Sequence, residues 1–308
     1  MPDRDDAAMD SVFAGRTTLR TRDLVAAGMT RSQIAWAVGA GRLIRIRIGH
    51  FCLPGLDEPV QQAIRVGGRL ACVSRLARSG VWVTEVPAVP HVHVAANASR
   101  LRDPHEMTRT LDAASGCILH WGDLRAAGSD SQVSVVDAVR QAITCLDLHD
   151  AVATTESAVR AGLVTREELR HTASERELAV LRRVDGRGGS GLEVLLREAL
   201  RDAGVRVEPQ FRLAGVGDLD LLVERFVAVE ANGRTFHAGD VAPADRRRDA
   251  IVASLGLTPL RFDYAQIIHD RASVIRAIAG ALIAHRNVRG SGRRRARRLL
   301  QASAPRAS

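Results

Sequence analysis

Two acidic residues, Asp220 and Glu230, lie within apolar runs of β type, where a carboxylate is costly unless a cation offsets its charge. The runs are Gly217-Asp218-Leu219-Asp220-Leu221-Leu222-Val223 and Phe226-Val227-Ala228-Val229-Glu230-Ala231-Asn232, with Glu224-Arg225 between them. This pattern predicts a β-hairpin. A turn centred on Glu224-Arg225 sets Asp220 opposite Val229 and beside Glu230, so a small twist or bulge lets the two carboxylates converge. Asn232 falls on the same side of its strand as Glu230, because strand side chains alternate. Asp220, Glu230 and Asn232 together offer hard oxygen ligands suited to magnesium or manganese. Such an ion lowers the pKa of a bound water and neutralises a phosphodiester, which is what cleavage of a nucleic-acid backbone needs.

The neighbouring elements are those that must position these side chains. Ser190-Gly191-Leu192-Glu193 opens a helix in which Leu192, Leu195, Leu196 and Ala199 recur at helical spacing and which Gly204 ends. Glu193, three residues after Ser190, reads equally as a capping-box residue or as a catalytic acid. Val205 to Leu213 is a strand that Pro209 confines to an edge or an interrupted position. His237 can position or deprotonate an attacking water, or can be an ordinary loop histidine. Arg247 and Arg248, within Asp245-Arg246-Arg247-Arg248-Asp249, can contact phosphate or can simply pair with the two aspartates along a solvated helix face.

The order of these elements, together with Glu193, Asp220, Glu230-Ala231-Asn232-Gly233, His237, Asp245-Arg246-Arg247-Arg248-Asp249 and Leu260-Arg261-Phe262, resembles the PD-(D/E)XK nuclease superfamily. The nearest group within it is the endonuclease-like proteins related to very-short-patch-repair endonucleases. The resemblance covers about a third of the chain and implies a restriction-endonuclease-like domain over residues 186–285, with Asp220, Glu230, His237 and Glu193 catalytic. Asn232 departs from it, since the relatives carry aspartate there and the wider superfamily lysine. An asparagine can ligate a metal through its carbonyl but supplies neither negative charge nor a proton-transfer group.

Near the N-terminus, Thr21 to Ala27 reads as a short helix with Thr21 as N-cap and Gly28 as its stop, and Thr30 caps a second helix over Arg31 to Val38 with Ile34, Ala35 and Val38 on one face. Leu43-Ile44-Arg45-Ile46-Arg47-Ile48 alternates apolar and basic residues and leads through Gly49-His50 to Phe51-Cys52-Leu53, a two-stranded wing. Residues 16–68 are thus a winged helix-turn-helix that would present Arg31, Ser32 and Gln33, with Arg45 and Arg47 of the wing, to nucleic acid. The segment Gly41-Arg42-Leu43-Ile44-Arg45-Ile46-Arg47-Ile48-Gly49-His50-Phe51 resembles the wing of the AbiEi-type antitoxin and regulator family, with Phe51 in place of a tyrosine. That resemblance implies DNA as a partner and, for an antitoxin, a toxin or other protein. The same fold also serves protein contact.

Residues 69–185 read as a mixed α/β connector, with helices at Leu70 to Ser79 and Val133 to Leu146 and strands at His91 to Val94 and Cys117 to His120. His91 and His93 share a strand face, but no third ligand is visible beside them, so they read as strand surface. Cys52, Cys72, Cys117 and Cys145 are scattered singly, without the paired spacing of zinc or redox motifs, and read as reduced, buried small residues. Asp185 to Ser190 reads as a flexible, glycine-rich boundary. The first fifteen residues are acidic and unpatterned, hence disordered.

The net charge is +9, and eight arginines with no acid lie from Arg286 onward, so the chain before this basic tail is nearly neutral. The sequence has no lysine, so every basic contact apart from the N-terminus or a protonated histidine is a guanidinium, suited to bidentate phosphate contacts. No run is apolar and long enough to span a bilayer, and the polar start lacks a signal peptide's order, which together predict a cytoplasmic protein without membrane contact. The fold class expected is α/β and α+β multidomain. The function expected is a metal-dependent DNA endonuclease targeted by its N-terminal domain. The alternative is an antitoxin-like transcriptional regulator whose nuclease fold is inactive.

Overall fold

The computed structural model describes residues 12–233 and 243–285, together with Arg294. His237 and the rest of the basic tail lie outside the described residues. The chain divides into two compact units, one comprising the residues up to Cys145 together with Leu163–Thr172, the other comprising Leu146–Gly162 and the chain from Ala173 onward. Among the described residues the structure is mixed α/β, with three small sheets. Among the described residues no helix is long and apolar enough to cross a membrane.

The first unit opens with β1 (Leu19–Arg20), α1 (Thr21–Ala26), α2 (Arg31–Gly39), β2 (Ile44–Arg47) and β3 (His50–Cys52). The α1 N-cap is Arg20, not Thr21: the Asp23 carboxylate accepts the Arg20 amide at 2.8 Å, so Thr21 is already helical. The Thr30 cap forms as expected, its hydroxyl accepting from the Gln33 amide at 3.2 Å while the Gln33 side chain accepts from the Thr30 amide at 2.8 Å. The buried face of α2 carries Ile34 and Ala37 rather than Ala35, which is exposed. The wing gains a third strand, in the order β1-β3-β2, with a pairing irregularity between Arg45 and Arg47. Phe13 belongs to this core and is buried with Leu19, Leu24, Ile34, Ala37, Leu43 and Phe51. Burying the Phe13 ring holds residues 12–15 in place, although their composition had grouped them with a disordered start.

There follow α3 (Glu58–Val66), β4 (Arg69–Leu70), α4 (Cys72–Arg78), β5 (His91–Val94), β6 (Ile118–Trp121) and α5 (Val135–Cys145). The second sheet has the order β4-β5-β6, antiparallel then parallel. Ile46 and Cys52 of the wing share a core with Val60, Ile64, Leu70, Val92 and Val94. The wing and the first half of the expected connector are therefore continuous in packing.

Helix α6 (Leu148–Arg160) belongs to the second unit, α7 (Arg166–Arg170) to the first. The second unit continues with α8 (Glu175–Arg183), α9 (Gly191–Asp202), β7 (Val207–Leu213), β8 (Gly217–Val223), β9 (Val227–Ala231), α10 (Pro243–Ser254), β10 (Thr258–Phe262), α11 (Tyr264–His269) and α12 (Arg271–Ala284). Its sheet runs β10-β9-β8-β7, antiparallel except for the parallel β9–β10 pair, and places the Pro209-containing strand at the edge. Leu219, Leu222, Ala228 and Val252 form the core between this sheet and α10.

The stretch Asp185 to Ser190 lies inside this unit and is pinned by hydrogen bonds. The Gly188 amide donates to Glu156 at 2.9 Å and the Gly189 amide to Glu193 at 2.8 Å. A Cβ on Gly189 would stand 2.7 Å from the Gln210 amide nitrogen and 2.9 Å from a Glu193 oxygen, so a larger residue there would push both side-chain ends aside. Arg197, fully buried, meets Glu156 at 2.8 Å, Asp185 at 2.7 Å and Glu198 at 2.9 Å. A buried guanidinium is tolerable only when its donors are satisfied in this way.

Candidate active site

The hairpin register brings the two strand carboxylates opposite each other. Leu221 pairs with Val229 and Val223 with Val227, so the turn is Glu224-Arg225-Phe226, one residue longer than Glu224-Arg225 alone. Glu224 and Arg225 both have positive φ, 48° and 67°. One step further along this register Asp220 faces Glu230, where the sequence had placed Asp220 opposite Val229. On the other flank Pro209 pairs with Leu221 and Phe211 with Leu219, which sets Gln210 across from Asp220. On the far strand Arg261 pairs with Glu230. Asp220, Glu230 and Arg261 thus form one row across β8, β9 and β10, directly opposed residues sharing a face of the sheet, while Gln210, at φ 50°, turns its side chain to Glu193.

Glu193 approaches this row from the first turn of α9. The Ser190 hydroxyl accepts the Glu193 amide at 3.3 Å, fixing the helix start. The Glu193 carboxylate does not close a capping box on Ser190. It accepts from the Gly189 amide at 2.8 Å and from the Gln210 side chain at 2.7 Å. Asp220 accepts the Ala231 amide at 2.8 Å, and Arg248 pairs with Glu230 at 3.0 Å.

The electrostatics follow from this crowding. Burial pushes the Glu230 carboxyl up to about 7, the neighbouring Asp220 charge adds to the rise, and Arg248 and Arg261 oppose it. Burial also raises Asp220, against the Ala231 amide and the same two arginines. Glu193 is raised by burial and then by Asp220, against its Ser190, Gly189 and Gln210 hydrogen bonds. Three carboxyls all held above their ordinary range mark a place where negative charge is under-compensated.

The other residues singled out from the sequence are placed as follows. Asn232 lies one residue past β9, its amide donating to the Phe262 carbonyl at 2.8 Å. His237 lies outside the described residues. Arg247 is exposed, whereas Arg248 turns toward Glu230 and also donates to the Asp218 carbonyl. Asp245 and Asp249 do not pair along their own helix. They receive Arg261 of β10, at 3.5 Å and 2.9 Å. In the first unit Arg31, Ser32 and Gln33 are exposed on α2, with Gln33 engaged in the capping box, and Arg45 is exposed on β2. Arg47 is half-buried and its guanidinium is engaged within the chain. Its guanidinium donates to the carbonyls of Val66 at 3.1 Å and Arg100 at 2.8 Å, because the wing packs against α3 and the chain beyond.

Sequence reasoning missed several participants. Gln210 and Arg261 flank the carboxylate row, and only the register reveals them. Trp36, exposed on α2 with the Arg42 guanidinium 5.5 Å from its ring, extends the surface formed by Arg31 and Ser32. His91 is not a bare strand histidine paired with His93. Its Nδ1 lies 3.0 Å from Nε2 of His120, and Cys72 and Cys145 lie close by. Cys145 is exposed and Cys117 half-buried, so the four cysteines are not uniformly buried.

Residues 9–54 match the family model described as transcriptional regulator, AbiEi antitoxin. This span includes α1, α2 and the wing, so the N-terminal part of the chain is similar to that family. No curated protein matches the chain.

Proposed function

We propose that the chain is a DNA-binding protein whose second unit is a magnesium- or manganese-dependent endonuclease domain of the PD-(D/E)XK kind. The observation that carries this reading is the row of Asp220 and Glu230 on opposed strands, with Glu193 held beside it and all three carboxyls raised. The element order α9, β7, β8, β9, α10, β10 supports it, as does the AbiEi-type match over residues 9–54, which brings DNA as the partner.

The donor set fits a hard divalent cation: the Asp220 and Glu230 carboxylates, with the Asn232 carbonyl just past the strand end, are all oxygen. Bound there, the ion would activate a water and screen the phosphodiester charge. The chain's own groups do the positioning. The Ala231 amide orients Asp220, and Gln210 with the Gly189 amide orients Glu193. Asp245 and Asp249 hold Arg261 at the end of the row. Arg248 would have to release Glu230 for a cation to be held there, and its guanidinium would then be free to meet a phosphate oxygen. Arg247 and His237 stand in the same proposal, as a phosphate contact and as the group that orients or deprotonates water.

A second reading has a specific observation in its favour. The Arg248–Glu230 ion pair already neutralises one carboxylate, and Asn232 supplies no charge, as in a nuclease fold that only grips DNA or a toxin-like partner while α2 and the wing act as a regulator. Incubating the full chain with plasmid and Mg²⁺ or Mn²⁺ separates the two. Nicking that disappears in Asp220→Ala and Glu230→Ala supports the endonuclease. Metal-independent DNA binding unchanged by both substitutions, without nicking, supports the regulator.

A further inference from the structure

We propose that Cys72, His91, His120 and Cys145 form a tetrahedral structural zinc site in the first unit, independent of the carboxylate row. The four side chains come from four elements: Cys72 opens α4, His91 opens β5, His120 lies in β6 and Cys145 ends α5. Each offers one ligand atom, and these atoms all lie within 4.8 Å of one another. The two histidine nitrogens are 3.0 Å apart, and Cys145 Sγ is 3.9 Å from His91 Nδ1. A tetrahedral zinc ion, with bonds of about 2.3 Å to sulfur and about 2.0–2.1 Å to nitrogen, needs ligand atoms roughly 3.3–3.8 Å apart. The cluster is therefore at metal-binding scale without rearrangement of its strands.

Charge and surroundings agree with zinc. Two thiols and two neutral imidazoles bind Zn²⁺ with release of two protons, leaving a site of zero net charge. That matters where Cys72 is fully buried and His91 only 4% exposed. Cys72 is held at φ +48°, a strained conformation for a side-chain-bearing residue. Its amide donates to the Gln141 side chain at 3.0 Å, and the Ser74 hydroxyl accepts the His91 amide at 3.0 Å. Supports of this kind hold ligands in place around metals. A Cys72–Cys145 disulfide would use the sulfurs but would leave the adjoining imidazole pair without a purpose. Four protein ligands close the coordination shell, so the role is structural: the ion ties both strands to both helices.

The test uses the full chain with Zn²⁺ and Co²⁺ as the only probes, in a non-thiol reductant. One zinc per chain should survive gel filtration, and its removal by a chelator should lower the thermal midpoint. Cobalt should give tetrahedral ligand-field bands with sulfur-to-cobalt charge transfer. Cys145→Ser, chosen because Cys145 is exposed and its loss is tolerable to the fold, should weaken zinc binding by more than about 100-fold, beyond what outer-shell changes cost. Cys117→Ser should leave both metals bound, and Asp220→Ala should leave the charge-transfer band intact, which separates this site from the proposed nuclease centre. Substoichiometric zinc without thiolate charge transfer overturns the proposal. So does a Cys72–Cys145 disulfide that persists in the reductant, or equal loss in Cys117→Ser.

Discussion

Arg248 on α10 places a guanidinium nitrogen 3.0 Å from a Glu230 carboxylate oxygen, so the most perturbed acid of the second unit is countered by a cation that the chain itself supplies. Removing that cation has a defined sign. Arg248→Gln should move the Glu230 carboxyl further up from about 7, because a lowering influence is lost. Carboxyl carbon chemical shifts followed against pH in metal-free protein report it. An unmoved Glu230 would mean that the pair does not exist in solution.

Asp220→Asn should act in the opposite direction. Its charge raises both Glu230 and Glu193, and both should fall toward the ordinary carboxylate range while burial keeps them somewhat above it. The amide oxygen can still accept the Ala231 amide, so the metal-free protein should unfold at the same or a higher temperature, with a gain of about 0.5–2 kcal/mol at most. Any nicking activity should vanish. A loss of stability in a calorimetric scan would assign Asp220 to the framework instead of to a site.

Asn232→Asp would add a third negative oxygen just past β9. Magnesium affinity measured by calorimetry should rise about tenfold or more, since ligand charge sets affinity at oxygen sites. Binding no tighter than that of the unaltered chain would show that position 232 does not face the ion.

The network around Arg197 predicts stability effects far from the carboxylate row. Arg197→Met leaves Glu156 buried without its guanidinium, while Glu198 keeps Arg183 and Arg201, and should cost about 3–5 kcal/mol, read from the denaturant midpoint. A cost below about 1 kcal/mol would mean that water reaches these acids.

Asp185 gives the same network a pH signature. Burial alone would raise its carboxyl, but the Arg201 hydrogen bond, the Arg187 amide and the charges of Arg197 and Arg201 hold it below its ordinary value. An acid lowered by folding contributes stability that is fully present above its unfolded value of about 3.9 and is lost as pH falls through the lower folded value. Thermal midpoints between about pH 5 and pH 2 should therefore fall less steeply in Asp185→Asn than in the parent. Parallel slopes would remove Asp185 from the acid transition.

How far the sequence could be read depended on the range of the signal. Capping, alternation and turn residues act over a few positions, so the Thr30 cap, the wing, and the run of elements from α9 to β10 were all foreseen, whereas Gln33, read as a groove contact, closes the Thr30 capping box. The hairpin register was foreseen one residue off, because the turn holds Phe226 as well as Glu224 and Arg225, and turn length is set by backbone geometry that composition does not report. Gln210, the place of Arg261 beside Glu230, and the Cys72–His91–His120–Cys145 cluster were invisible for a different reason, although Arg261 itself stood out in Leu260-Arg261-Phe262. Their members are brought together by sheet order and by helices far apart in the chain, with no short spacing to betray them. Arg47 looked like a groove contact because alternation marks a strand's faces but not what lies against them.

Glu156 of α6 reaches Arg197 of α9 from well before the glycine-rich turn, so the second unit borrows a helix that precedes its apparent beginning. Cutting the chain at Gly186 would take Arg197 without its deepest counter-ion. A fragment that keeps this pair must include α6, and any swap of this module into another protein must carry that helix with it.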